Sequence, residues 1–137
     1  AMTEIFKLRS ASLIIVTLCL SQCSRDESVA AYGGADRVWT LVQSGGESTT
    51  SRATLTFPQV GQIAGQASCN SYSATMTAPY PWFDVGPVAR TKMSCPQLAD
   101  EDRFLGALSG MTQSEVSGST LILRNDTGQE MVFIASD

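Results

Sequence analysis

Apolar and polar positions alternate in short blocks along most of this chain, and clusters of Gly, Pro, Asn and Ser separate the blocks. Residues 38–42 are rich in β-branched and aromatic side chains and predict a strand. Residues 44–48 read as a polar turn. Residues 53–57 alternate cleanly, so Leu55 and Phe57 share one face, and Pro58 is expected to end the run. A second alternating run covers 62–67, where Gly65 marks a bulge or a close backbone approach. A weaker strand is expected over 72–77 and a short extended piece over 84–89. Residues 120–124 and 131–135 flank Asn125, Asp126, Thr127 and Gly128, a turn composition that predicts a hairpin. A preceding strand is expected over 112–116.

The pattern supports a single helix, beginning at Cys95. Pro96 suits a first turn, where its missing N–H costs nothing. Leu98, Phe104, Leu105 and Leu108 recur at spacings that give one apolar face, and Gly110 is a natural stop. About seven or eight short strands and one helix make a mainly β (α+β) domain with one modest core.

Composition narrows the chemistry. The chain has 137 residues, a net charge of −4, four Cys and no His. Without histidine there is no Ser-His-Asp triad, no Cys-His pair and no imidazole metal site. The acidic balance argues against nucleic acid as a partner, since phosphate binding needs clustered Lys and Arg. No cofactor and no metal are expected.

The first 23 residues read as an export signal. Lys7 and Arg9 precede the apolar run 13–20, which is shorter than the roughly 20 residues needed to span a bilayer. The run ends Leu20-Ser21-Gln22-Cys23, which resembles a bacterial lipobox whose Cys becomes the lipidated first residue. Gln22 departs from the Gly, Ala or Ser usual at its place. Cys23 is thus the expected lipid attachment point, and Ser24 after it resembles the outer-membrane form. Several acyl chains would anchor the protein stably, at about 0.8 kcal/mol per buried methylene. Residues 24–35 carry no hydrophobic period and are expected to be a flexible tether with a reach of roughly 20 Å. The expected division is signal peptide 1–23, tether 24–35 and domain 36–137. The expected location is the bacterial envelope, on an outer membrane and facing the periplasm.

The most specific residues are Gly65-x-x-x-Cys69-Asn70-x-Tyr72, followed by Thr91-Lys92-Met93-Ser94-Cys95-Pro96. With Trp39-x-Leu41 upstream and the final hairpin downstream, this ordered set resembles the META domain family of HslJ-like envelope proteins over about residues 36–136. Ser68 and Ala74 stand where that family usually has Gly. The resemblance implies a curved antiparallel sheet or partial barrel with a helix packed against it. It also implies paired cysteines, an envelope location, links to stress or antibiotic tolerance, and no enzymatic activity.

Cys69 and Cys95 are expected to form a structural disulfide, because they follow an export signal into an oxidising compartment. Two cysteines without histidine do not make a zinc site, and no Cys-x-x-Cys marks a redox enzyme. Asp100, Glu101 and Asp102 read as a solvated first helical turn, favourable to the helix dipole. Lys92 and Ser94 lack the Ser-x-x-Lys order of a nucleophilic pair. Tyr80, Trp82 and Phe83 lie on a Pro-rich irregular segment and form the candidate binding surface. Their plainer role is a flap capping an open end of the sheet. Trp39 is expected in the core. The expected function is a monomeric, non-enzymatic domain held at a membrane by a lipid anchor, with an envelope protein as a further partner. The alternative is a carrier of a small apolar ligand in an open barrel mouth.

Overall fold

The computed structural model describes residues 25–136. The signal segment, with Lys7, Arg9 and Cys23, lies outside the described residues.

The alternating runs build one antiparallel sheet. Its strands are β1 (Val38–Ser44), β2 (Glu47–Ser48), β3 (Thr54–Gln59), β4 (Gln62–Gln66), β5 (Ser71–Thr75), β6 (Ala89–Arg90), β7 (Gln113–Ser117), β8 (Thr120–Arg124) and β9 (Glu130–Ser136). The spatial order is β6-β5-β4-β3-β1-β9-β8-β7, with β2 paired to β1 at one end. The polar turn expected at 44–48 therefore includes a two-residue strand, Gln43 facing Ser48 across it. β1 sits in the middle and pairs with both β3 and β9, so the two ends of the domain meet in adjacent strands. The mainly β expectation is met by an open sheet that does not close into a barrel.

β3 runs past Pro58 instead of ending there. Its register against β4 shifts between Thr56 and Gln59, where proline has no N–H to give the ladder. Of the extended piece 84–89, only Ala89 joins a strand, β6, while Val85 makes a lone bridge to Met76.

The helix α1 (Leu98–Ser109) starts three residues later than expected, after a turn in which Leu98 N–H donates to the Cys95 carbonyl at 3.2 Å. Phe104, Leu105 and Leu108 are buried against the sheet, and Phe104 meets Tyr72 of β5 edge to face at 5.7 Å. One face of the sheet supplies much of the core, including Trp39 and Leu41, Leu55 and Phe57, Leu121 and Leu123, Met131 and Phe133. These are alternate positions of four strands, as the period of two requires.

The tether expectation needs correction over residues 28–35. Ser28, Val29 and Ala30 are buried, and a turn of π-helix follows at Ala30–Gly34. Trp39 Nε1 donates to the Gly34 carbonyl at 2.9 Å, fixing this segment to β1. A single valine has no period to betray it; its burial is decided by distant residues that come to meet it.

Candidate functional site

Two clusters gather the residues singled out by sequence. The first joins the two cysteine motifs. Cys69 and Cys95 form a disulfide with Cα atoms 5.9 Å apart, within the range such bridges span. Next to it, Asn70 is almost fully buried and its side chain binds the main chain of Met93 in both directions. Asn70 Nδ2 donates to the Met93 carbonyl at 3.1 Å, and Met93 N–H donates to Asn70 Oδ1 at 2.7 Å. Thr91 Oγ1 donates to the same Oδ1 at 2.8 Å. Asn70 therefore reads the Thr91–Met93 stretch much as a paired strand would.

Glu101 completes this cluster, and its placement overturns the expectation of a solvated helix turn. Its side chain is completely buried. Oε1 accepts from the N–H groups of Cys69 and Asn70 at 3.0 and 2.7 Å. Oε2 accepts from Asn70 Nδ2 at 2.6 Å and from Arg90 at 3.1 Å. Arg90 reaches on to Asp102 at 2.6 Å. Burial pushes the Glu101 carboxyl up, but the three hydrogen bonds from Asn70 and Cys69 and the Arg90 charge outweigh it, and its pKa ends below the ordinary value. Every acceptor direction is used, so the group is a brace and is badly placed for moving a proton.

The sequence did carry a signal for this. Glu101 stands three residues after Leu98, three before Phe104, four before Leu105 and seven before Leu108. That spacing sets it on the apolar face. Arg90 and Tyr32 had no comparable signal.

The second cluster is the aromatic segment, and the structure divides it. Phe83 is buried and belongs to the core, so it is removed from the candidate surface. Trp82 is 54% exposed. Tyr80 is half-buried and stacks on exposed Tyr32, ring centroids 4.6 Å apart and planes 13° apart. The segment lies along β7. Phe83 N–H donates to the Thr112 carbonyl at 2.9 Å, and Ser114 N–H donates to the Pro81 carbonyl at 2.7 Å. Trp82 faces Gln113 in a lone bridge. This path leads from β5 to the opposite edge of the sheet and covers the exposed backbone of β7.

Gly33, at φ 112°, makes the turn that brings Tyr32 beside Tyr80. A side chain there would also meet Val116 of β7 at 3.2 Å.

A shallow cavity of about 410 Å³ lies between the 47–51 loop and the helix, lined by Leu41, Ser44, Thr49, Asp100, Arg103 and Phe104 among others. It is open and mostly polar. Among the described residues, no three His, Cys, Asp or Glu side chains are grouped to hold a metal. Among them, too, no helix is long and apolar enough to cross a membrane.

Together these features define a small, disulfide-stapled antiparallel domain with one docked helix. The META domain family model matches residues 34–137, and the chain belongs to that family. Two solved structures share the fold. A protein from Burkholderia xenovorans is 22% identical, with 79% of this chain and 87% of that one covered, at a TM-score of 0.63. A DUF4847 family protein from Bacteroides vulgatus is 14% identical, with 78% and 96% covered, also at 0.63. No curated protein matches the chain.

Proposed function

We propose that this chain is a non-enzymatic envelope domain, tethered at its N-terminus through Cys23, that acts by surface contact as a stress or antibiotic-tolerance factor of the HslJ-like kind. The observation that carries this reading is the exposed aromatic surface of Tyr32, Tyr80 and Trp82. Tyr80 and Trp82 flank Pro81, whose carbonyl accepts from Ser114 N–H of β7, and Tyr32 is held by stacking on Tyr80, so the rings are presented without needing to be ordered on binding. The engaged state of Glu101 supports a non-catalytic role, since its oxygens already accept four hydrogen bonds. The open, polar cavity beside the helix gives an apolar ligand little to bury against, which disfavours the carrier alternative.

The test is complementation of a deletion strain under heat and antibiotic stress. Wild type should restore tolerance, and the Tyr80→Ala, Trp82→Ala double variant, present at wild-type level and with a native disulfide, should not. Full rescue by that variant would sink the surface-contact reading. For the anchor, Cys23→Ser should move the protein from the membrane to the soluble periplasmic fraction.

A further inference from the structure

We infer that the surface made by Tyr32, Tyr80 and Trp82 rests on the membrane to which the chain is tethered, so that the bilayer itself is the partner of this face. The inference rests on the anchoring reading above and adds an orientation to it.

The first support is length. The packed domain begins at Ser28, not after residue 35, so the link to Cys23 is far shorter than a twelve-residue tether. Tyr80 N–H donates to the Glu27 carbonyl at 2.6 Å, which fixes the start of the domain against the aromatic segment. Four residue steps separate Cys23 from Glu27, and at full extension they span about 14 Å. A domain of this size has a radius of gyration of about 13 Å, so its diameter exceeds that link. A domain on so short a link cannot turn its far side to the membrane. The face beside Glu27 is the one that meets the headgroups.

The second support is chemistry. Tyr and Trp combine an apolar ring with a polar tip, the combination favoured at the headgroup level of a bilayer. Here Tyr32 and Trp82 are each more than half exposed, and Tyr80 joins Tyr32 in one stacked pair. Among the other described residues the exposed large apolar side chains are non-aromatic: Val38, Val42, Val60, Met93 and Ile134. Glu27, whose carbonyl accepts from Tyr80 N–H, and Asp84, two residues after Trp82, are both exposed. Acidic residues there suit zwitterionic headgroups and disfavour strongly anionic ones.

The two tryptophans make the test direct, because Trp39 is fully buried and Trp82 is not. The full chain, purified from membranes, is reconstituted into phosphatidylethanolamine vesicles containing phosphatidylcholine with brominated acyl chains. Co-flotation reports anchoring. Quenching of Trp82, read as the difference between wild type and Trp82→Phe, reports contact. The expected result is flotation with roughly two-fold or greater quenching of Trp82, while Trp39 in the Trp82→Phe variant is spared. Replacing a third of the lipid with phosphatidylglycerol should weaken the quenching. The Trp39→Phe variant, with Trp82 as its sole tryptophan, should give the same answer if it folds; the difference measurement does not need it. Flotation with Trp82 quenched no more than Trp39 overturns the inference and leaves anchoring intact. Failure to float overturns both. Trp82 unquenched in vesicles but shielded from acrylamide in native envelopes assigns the face to a protein partner and overturns the inference.

Discussion

Asn70 and Glu101 lie 31 positions apart in sequence and are bonded twice, Asn70 N–H to Oε1 at 2.7 Å and Asn70 Nδ2 to Oε2 at 2.6 Å. With the Cys69–Cys95 bridge beside them, they tie the turn between β4 and β5, the Thr91–Met93 stretch and the start of α1 into one unit. The two most specific sequence motifs are therefore one structure seen twice.

Truncating Glu101 should be costly. Glu101→Ala leaves the Cys69 and Asn70 N–H groups without their acceptor, and Glu101→Gln turns an amide N–H₂ toward donors. Each should lower stability by about 3 kcal/mol in chemical denaturation, the usual cost of breaking a buried, charged hydrogen-bond network. An ordinary solvated position would move by about 0.5 kcal/mol or less.

The same carboxylate sets a pH dependence. Its folded pKa lies below the ordinary 4.5. Between those values the unfolded chain binds the proton and the folded one does not, so protonation favours unfolding. The contribution is complete above about pH 5 and is lost as pH falls through the folded pKa. Denaturation curves from pH 6 down to pH 3 should show a steeper loss for wild type than for Glu101→Gln. Parallel slopes would mean that the folded and unfolded chains bind this proton equally, so that folding does not lower the Glu101 pKa.

The disulfide closes a loop with a separation of 26 residues. Chain entropy alone predicts about 3.5 kcal/mol of stabilisation from such a loop. The Cys69→Ala, Cys95→Ala variant should lose that amount, and thiol labelling of unfolded wild-type protein should leave both residues unmodified.

The aromatic segment separates into two kinds of residue. Phe83→Ala should cost about 3–5 kcal/mol as a core deletion. Trp82→Ala should cost about 0.5 kcal/mol or less, because the ring is mainly in solvent. Thermal melts of the two variants would reverse this order only if Trp82 carried the packing.

Gly65 is a close-approach site. An added Cβ would lie 2.1 Å from the Thr54 carbonyl oxygen and 2.9 Å from the Tyr72 hydroxyl. Tyr72 spans this point, donating to the Thr54 carbonyl at 2.6 Å, and burial pushes its phenol pKa up, so the proton stays. Gly65→Ala should destabilise by about 2 kcal/mol or more, since backbone must move to make room.

The local pattern of residues by itself determined the strands over 38–42, 120–124 and 131–135, the shared face of Leu55 and Phe57, and the helix face of Phe104, Leu105 and Leu108. These follow from local periods of 2 and 3.6, which any window of the chain displays. Gly65 was legible for a similar reason, as a residue without a side chain inside an alternating run. Only the tertiary structure decided that β1 lies between β3 and β9, because pairing of the two chain ends leaves no local trace. It likewise decided that Val29 is buried, that Tyr32 stacks on Tyr80, and that Phe83 turns inward while Trp82 turns out. Glu101 stands between the two cases. Its spacing placed it on the buried face, but a carboxylate can stay charged there only where distant donors converge, and the fold alone brings Cys69, Asn70 and Arg90 to it.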